Sequence, residues 1–223
     1  QWGSGTTTEG NVGVLSIDNI YRNNVLLNGS YFTSTTKSLV VNNTVTGTAS
    51  IVSLCDAYNN NFNATRVQGT VKLHDNNMTK LTVQSSNSGV IDNYNITNNN
   101  ISGNIEFTAA SSSLSTKNIT LTGNTINGNI TVTGNSGKIS DININSNIIN
   151  GAIVLGPKSN QKVNNVTITN NLVNSTYNTA VILSSKSSNI TVSNNTLYAK
   201  TTAANNAVDN KGTGNVISDN LPL

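Results

Sequence analysis

An asparagine recurs along this chain inside one local pattern, and no other feature restricts the fold as strongly. The segment from Ile119 to Gly128 (ITLTGNTING) returns from Ile142 to Gly151 as ININSNIING, from Val166 to Val173 as VTITNNLV and from Ile190 to Leu197 as ITVSNNTL. An earlier copy runs from Tyr94 to Ile101 (YNITNNNI), and more degenerate copies surround Asn23, Asn43, Asn60 and Asn76. Anchored on that asparagine, the positions are Asn23, Asn43, Asn60, Asn76, Asn99, Asn124, Asn147, Asn171, Asn195 and Asn220, at intervals of 20, 17, 16, 23, 25, 23, 24, 24 and 25 residues. A self-similar unit of this length is the signature of a repeat architecture.

With the anchor numbered zero, positions −5, −3 and +2 are apolar in the clearer units, while −4 and −2 are Thr, Asn or Ser. Alternation with period two reads as a strand with one buried face. A second alternating run follows at +6 and +8, as Ile105/Phe107, Ile130/Val132 and Ile153/Leu155. No stretch carries helical apolar spacing, so the chain reads as all-β. Two or three short strands cannot bury their own inner faces, but coils stacked on one another share a continuous core. The expected fold is therefore a single-domain β-solenoid of about ten coils over residues 18–223, preceded by a 1–17 segment that pairs at the edge or caps the first coil. The anchor asparagine, bracketed by inward apolar positions, is expected to point inward and bond to its counterpart one coil away, as a ladder.

Composition narrows the function classes. Charged residues make up 9% of the 223 residues, 12 Lys+Arg against 9 Asp+Glu, with one His and one Cys. That excludes a coiled coil, a disulfide scaffold and a cysteine metal cluster. No apolar run approaches the roughly 18 residues of a membrane span. The chain opens at Gln1 without a signal sequence, which suits a trimmed mature product. With 44 Asn, 30 Thr and 26 Ser it has the composition of a secreted or surface protein. Twelve Asn-x-Ser/Thr sequons make it a candidate glycoprotein, although that number is what the composition alone would produce.

Ladders of asparagine in units of this length resemble the right-handed parallel β-helix of the pectate-lyase-like superfamily, and especially the repeats of its secreted and surface proteins. The resemblance spans roughly Asp18 to Asn220. It implies a fold rather than an activity, since that superfamily includes polysaccharide lyases and hydrolases, tailspikes, adhesins and structural proteins. Its enzymes carry acidic clusters on one outer face. Here the acids Glu9, Asp18, Asp56, Asp75, Asp92, Glu106, Asp141, Asp209 and Asp219 fall at scattered coil positions. Asp75 and Asp219 share position −1 but lie six coils apart, near 29 Å at about 4.8 Å per coil. His74 neighbours Asp75, but adjacent strand residues point to opposite faces, so His74 reads as a surface histidine. Cys55 reads as a small buried hydrophobe. Catalytic residues, metals and cofactors are expected to be none.

Two surface features remain as binding candidates. Lys138, Lys162, Lys186 and Lys211 all occupy position −9, which would stack them about 4.8 Å apart as an anionic-ligand stripe. No aromatic residue interleaves with them, so nucleic acid is not expected. The outward −4/−2 pairs Asn95/Thr97, Thr120/Thr122, Asn143/Asn145, Thr167/Thr169 and Thr191/Ser193 form an array of hydroxyls and amides that a glycan would fit. No capping helix is visible before Asp18, and bare solenoid ends invite pairing. The expectation is thus an extracellular, non-catalytic solenoid that self-associates head-to-tail or laterally as a filament, sheath or adhesin stalk. The alternative is a polysaccharide-binding or polysaccharide-cleaving β-helix.

Overall fold

A computed structural model describes residues 7–8, 19–27, 32–34, 37–85, 92–109, 114–132, 137–156, 162–200 and 207–222. Of the 1–17 segment only Thr7–Thr8 is described, and its backbone pairs in parallel with Val25–Leu26; the rest of that segment lies outside the described residues.

The described residues form an all-β parallel β-helix. Ten strands, from Ile20–Arg22 to Val216–Ser218, stack in sequence order as one sheet, and every pairing is parallel. A larger sheet of 17 strands forms the remaining walls. The unit around Asn147 shows why one coil turns as it does. Lys138–Asn145 runs along the ten-stranded sheet, Ile148–Ile149 starts the next wall and Ile153–Leu155 completes it. The inward positions are closed to solvent: −3 is buried from Tyr21 and Val40 through Ile168 and Val192, and +2 from Leu26 to Leu197. One cluster of these residues fills the whole rod axis.

The turn between sheets has a conformational cause. The residue at −1 lies in the left-handed region in every unit: Asn23, Asn42, Asn59, Asp75, Asn98, Gly123, Ser146, Asn170, Asn194 and Asp219 have φ between 54° and 68°. Asn, Asp and Gly adopt this region at the least cost, because a short polar side chain or a missing Cβ relieves the clash with the following carbonyl. The strand therefore ends there, the chain swings inward, and the next residue becomes the ladder asparagine.

That rule corrects the first anchor. Asn23 is exposed and left-handed, whereas Asn24 is buried and donates from its backbone N and its Nδ2 to Asn43 Oδ1 at 3.0 and 2.9 Å. In a pair of identical residues only the backbone conformation separates the turn from the ladder.

The shorter units also have a structural basis. In Asn61–Gln68 and Asn77–Gln84 the second and third walls are one continuous strand. From Asn100 onward they are split by a corner, Ser102 to Asn104, and Leu81 pairs with Ile105 across that extra residue.

One buried phenol ties the short coils to the longer ones. Tyr94 is buried, accepts from the Gly69 N–H at 3.1 Å and donates to the Gln84 carbonyl at 2.5 Å. Burial, and then the charge of Asp92, push its pKa far above the usual value of 10. The fold favours the neutral phenol, so this stability is complete below the unfolded pKa near 10 and is lost as the pH climbs beyond it. Alkaline titration by the phenolate absorbance is expected to show a late phase that coincides with loss of sheet circular dichroism. Tyr94→Phe should lack that phase; a late phase persisting unchanged in the variant would refute the assignment.

Candidate functional site

The ladder is the most regular chemistry in the molecule. At each interior rung the backbone N and Nδ2 donate to Oδ1 of the next coil's asparagine. For Asn124 to Asn147 these distances are 2.9 and 3.0 Å, and for Asn171 to Asn195 both are 2.9 Å. The Nδ2 also reaches the carbonyl two residues earlier and a carbonyl of the preceding coil, as Asn147 does to Asn145 O at 3.0 Å and Leu121 O at 2.9 Å. The same bonding links Asn43, Asn60, Asn76, Asn99, Asn124, Asn147, Asn171, Asn195 and Asn220. A buried amide without partners would cost a few kcal/mol; here donors and acceptor are both engaged. The ladder is a structural device and offers nothing to a ligand.

The lysine column is real for three of its four members. Lys138 and Lys162 are register partners, and the Val163–Ser187 pairing places Lys186 next in line. These three wall a surface groove of about 340 Å3 whose other sides include Asn164, Ser188 and Thr213. Lys211 does not line the groove; its Nζ sits 3.1 Å from Asp209 Oδ2. At the other end, Asp141 accepts from Ser140 Oγ at 2.7 Å and Asn165 Nδ2 at 3.2 Å. The Ser140 hydroxyl, then the Asn165 amide and the charges of Lys138 and Lys117, hold its carboxyl below the usual carboxylate range. Asn164 Oδ1 is closed off from water and has no hydrogen-bond partner.

A second cluster appears where sequence reasoning saw scattered acids. His74 Nδ1 lies 2.7 Å from Asp75 Oδ2, and its Nε2 lies 3.1 Å from Asp56 Oδ1. The expectation that His74 and Asp75 point apart fails because Asp75 is not in the strand. Thr70–His74 ends at the histidine, and the left-handed turn at Asp75 brings its carboxylate round beside the ring. Tyr58 stacks on His74 with centroids 5.0 Å apart, and Asp56 is the register partner of Lys72. The signal was available: Asp56 at −4 and His74 at −2 share the outward face on adjacent coils. All three charged groups are a third or more exposed, and surface pairs of this kind contribute about 0–1 kcal/mol. The cluster braces three coils.

The outward −4/−2 pairs from Asn95/Thr97 to Thr191/Ser193 lie in unbroken register across five coils. Cys55 is buried against Ser34 Oγ at 3.2 Å and the Val52 carbonyl at 2.6 Å, and burial pushes its thiol pKa up, which makes it a poor nucleophile. Glu106 pairs with Lys80 at 2.9 Å. Among the described residues no helix is long and apolar enough to cross a membrane, and no three metal-ligating side chains converge.

No family model matches this chain, nor does any curated protein or solved structure. The functional reading therefore rests on the residues and their geometry.

Proposed function

We propose that this chain is an extracellular structural β-solenoid, a non-catalytic relative of the pectate-lyase-like helices that serves as a subunit of a surface filament or sheath, or as an adhesin stalk. The observation that carries the reading is the ladder together with the state of its last rung. Hydrogen-bonded amides run from Asn24 to Asn220, and at that final coil the pattern of closed inward positions breaks. Ile217 at −3 is 40% exposed and Leu221 is 66% exposed, while every earlier residue of the −3 column is 0–2% exposed. A face of this kind favours contact with another β-coil, through apolar burial and strand pairing. The charge-poor, Asn/Thr/Ser-rich composition suits an exterior rod.

Ten coils at about 4.8 Å each span roughly 43 Å between the first and last rungs. Electron microscopy and light scattering of the purified chain are expected to show rods several times that length, growing with concentration. A particle that stays monomeric over the accessible concentration range would overturn the proposal.

A further inference from the structure

We infer that the groove walled by Lys138, Lys162 and Lys186 binds an acidic glycan laid parallel to the rod axis. The inference stands on the groove alone and does not depend on end-to-end association.

The wall comes first. Three ammonium groups in one column, about 4.8 Å apart per coil, spread along roughly 10 Å of surface. Like charges at that spacing repel by about 1 kcal/mol even with full water screening. An anionic polymer running along the column turns that repulsion into attraction, with a binding geometry that repeats once per coil.

The ends of the column bound the seat. Asp141, held ionised by the Ser140 and Asn165 side chains, lies beside Lys138. Lys211 is occupied by Asp209. The free positive charge is therefore centred on Lys162 and Lys186, both exposed.

The opposite side selects among polyanions. Asn164, Ser188 and Thr213 all sit at position −7, facing the lysines across the groove. Asn164 Oδ1 is an acceptor without a donor, and a rotation about χ2 presents it to the groove. Polyphosphate has acceptors and no donors along its length, so it cannot satisfy this atom. A glycan supplies both parts: a carboxylate or sulfate for the ammonium groups and a hydroxyl donor for the amide oxygen. A volume of about 340 Å3 is at the lower end of ligand sites, roughly 300–1,000 Å3, so the groove grips a short stretch of a longer polymer.

The test is calorimetric titration of the full chain with a uronic-acid hexasaccharide, a sulfated hexasaccharide, a neutral hexasaccharide and a polyphosphate of equal charge. At least one acidic glycan is expected to bind and the neutral one not, with the first two arms identifying the acidic group. Lys162→Gln with Lys186→Gln should weaken binding at least tenfold and flatten the dependence on salt. Lys72→Gln with Lys200→Gln, which removes equal charge elsewhere, should change it less than twofold. Asn164→Leu should weaken glycan binding while leaving any polyphosphate binding unchanged. Failure of both acidic glycans to bind, equal losses in the two lysine variants, or indifference of glycan affinity to Asn164→Leu would each overturn the inference. Circular dichroism of each variant confirms that the sheet is intact.

Discussion

Asn147→Leu is expected to lower the stability of the chain by about 3–5 kcal/mol, close to the upper range for any single substitution. Leucine fills a similar volume, so the effect is one of hydrogen bonding and not of cavity formation. Removing the amide leaves the Asn124 backbone N–H without its acceptor, which was Asn147 Oδ1 at 2.9 Å. It also strips the Nδ2 donor from Leu121 O and Asn145 O, at 2.9 and 3.0 Å. These groups are shut away between coils, and each orphaned buried group costs about 1–3 kcal/mol. Asn220→Leu provides the internal comparison. That last rung is only half-buried and accepts from Asn195 at 3.1 and 2.9 Å, and water can replace part of what is lost. Its cost should be less than half that of Asn147→Leu. Urea denaturation of both variants measures the difference; a loss below about 1 kcal/mol at Asn147 would mean that the ladder does not hold the rod together.

Gly128→Ala is the second large effect, and its cause is steric. Gly103, Gly128 and Gly151 all fall four residues after a ladder asparagine, so they stack on one another at the same corner. A Cβ on Gly128 would lie 2.5 Å from Gly103 C and 2.6 Å from Gly103 O and Asn104 Oδ1. Two of those atoms belong to the backbone, so no side-chain rotation relieves the overlap. The coils would have to part at this corner while hydrogen bonds on either side hold them at about 4.8 Å. The expected cost is about 1–3 kcal/mol. Asn127→Ala, one residue away and exposed, should stay within about 0.5 kcal/mol. Thermal melts of the two variants that coincide would contradict the close-approach argument.

The coil architecture was legible because a solenoid makes its contacts between neighbouring units. Alternation at −5, −3 and +2 and the recurring asparagine describe each coil locally, and the stack follows. What the pattern concealed was backbone conformation. Asn23 and Asn24 are chemically identical, and only the left-handed φ of the first marks it as the turn. The doublets at 42–43, 59–60, 98–99, 170–171 and 194–195 carried the hint, since the ladder member is always the second. The same turn explains why Asp75 reaches His74 although strand geometry predicts otherwise. The lysine arithmetic was sound for three positions. It missed that Asp209 and Lys211, two residues apart, lie close enough to pair. Asn164 could not be singled out at all, because an unmet acceptor is a property of the packed groove.

The hydrogen bonds of the ladder reach only one coil up and one coil down, which has a consequence for how such a chain changes over generations. A duplication or deletion of one whole repeat would leave the same bonds on either side of the splice, and no distant contact would need rewiring. Differences in perimeter are absorbed at the corners, as between Leu81 and Ile105, while the axial step stays fixed by strand pairing. Length along the axis can therefore drift in whole increments while the girth of each coil varies separately, so reach and thickness are independent traits in this molecule.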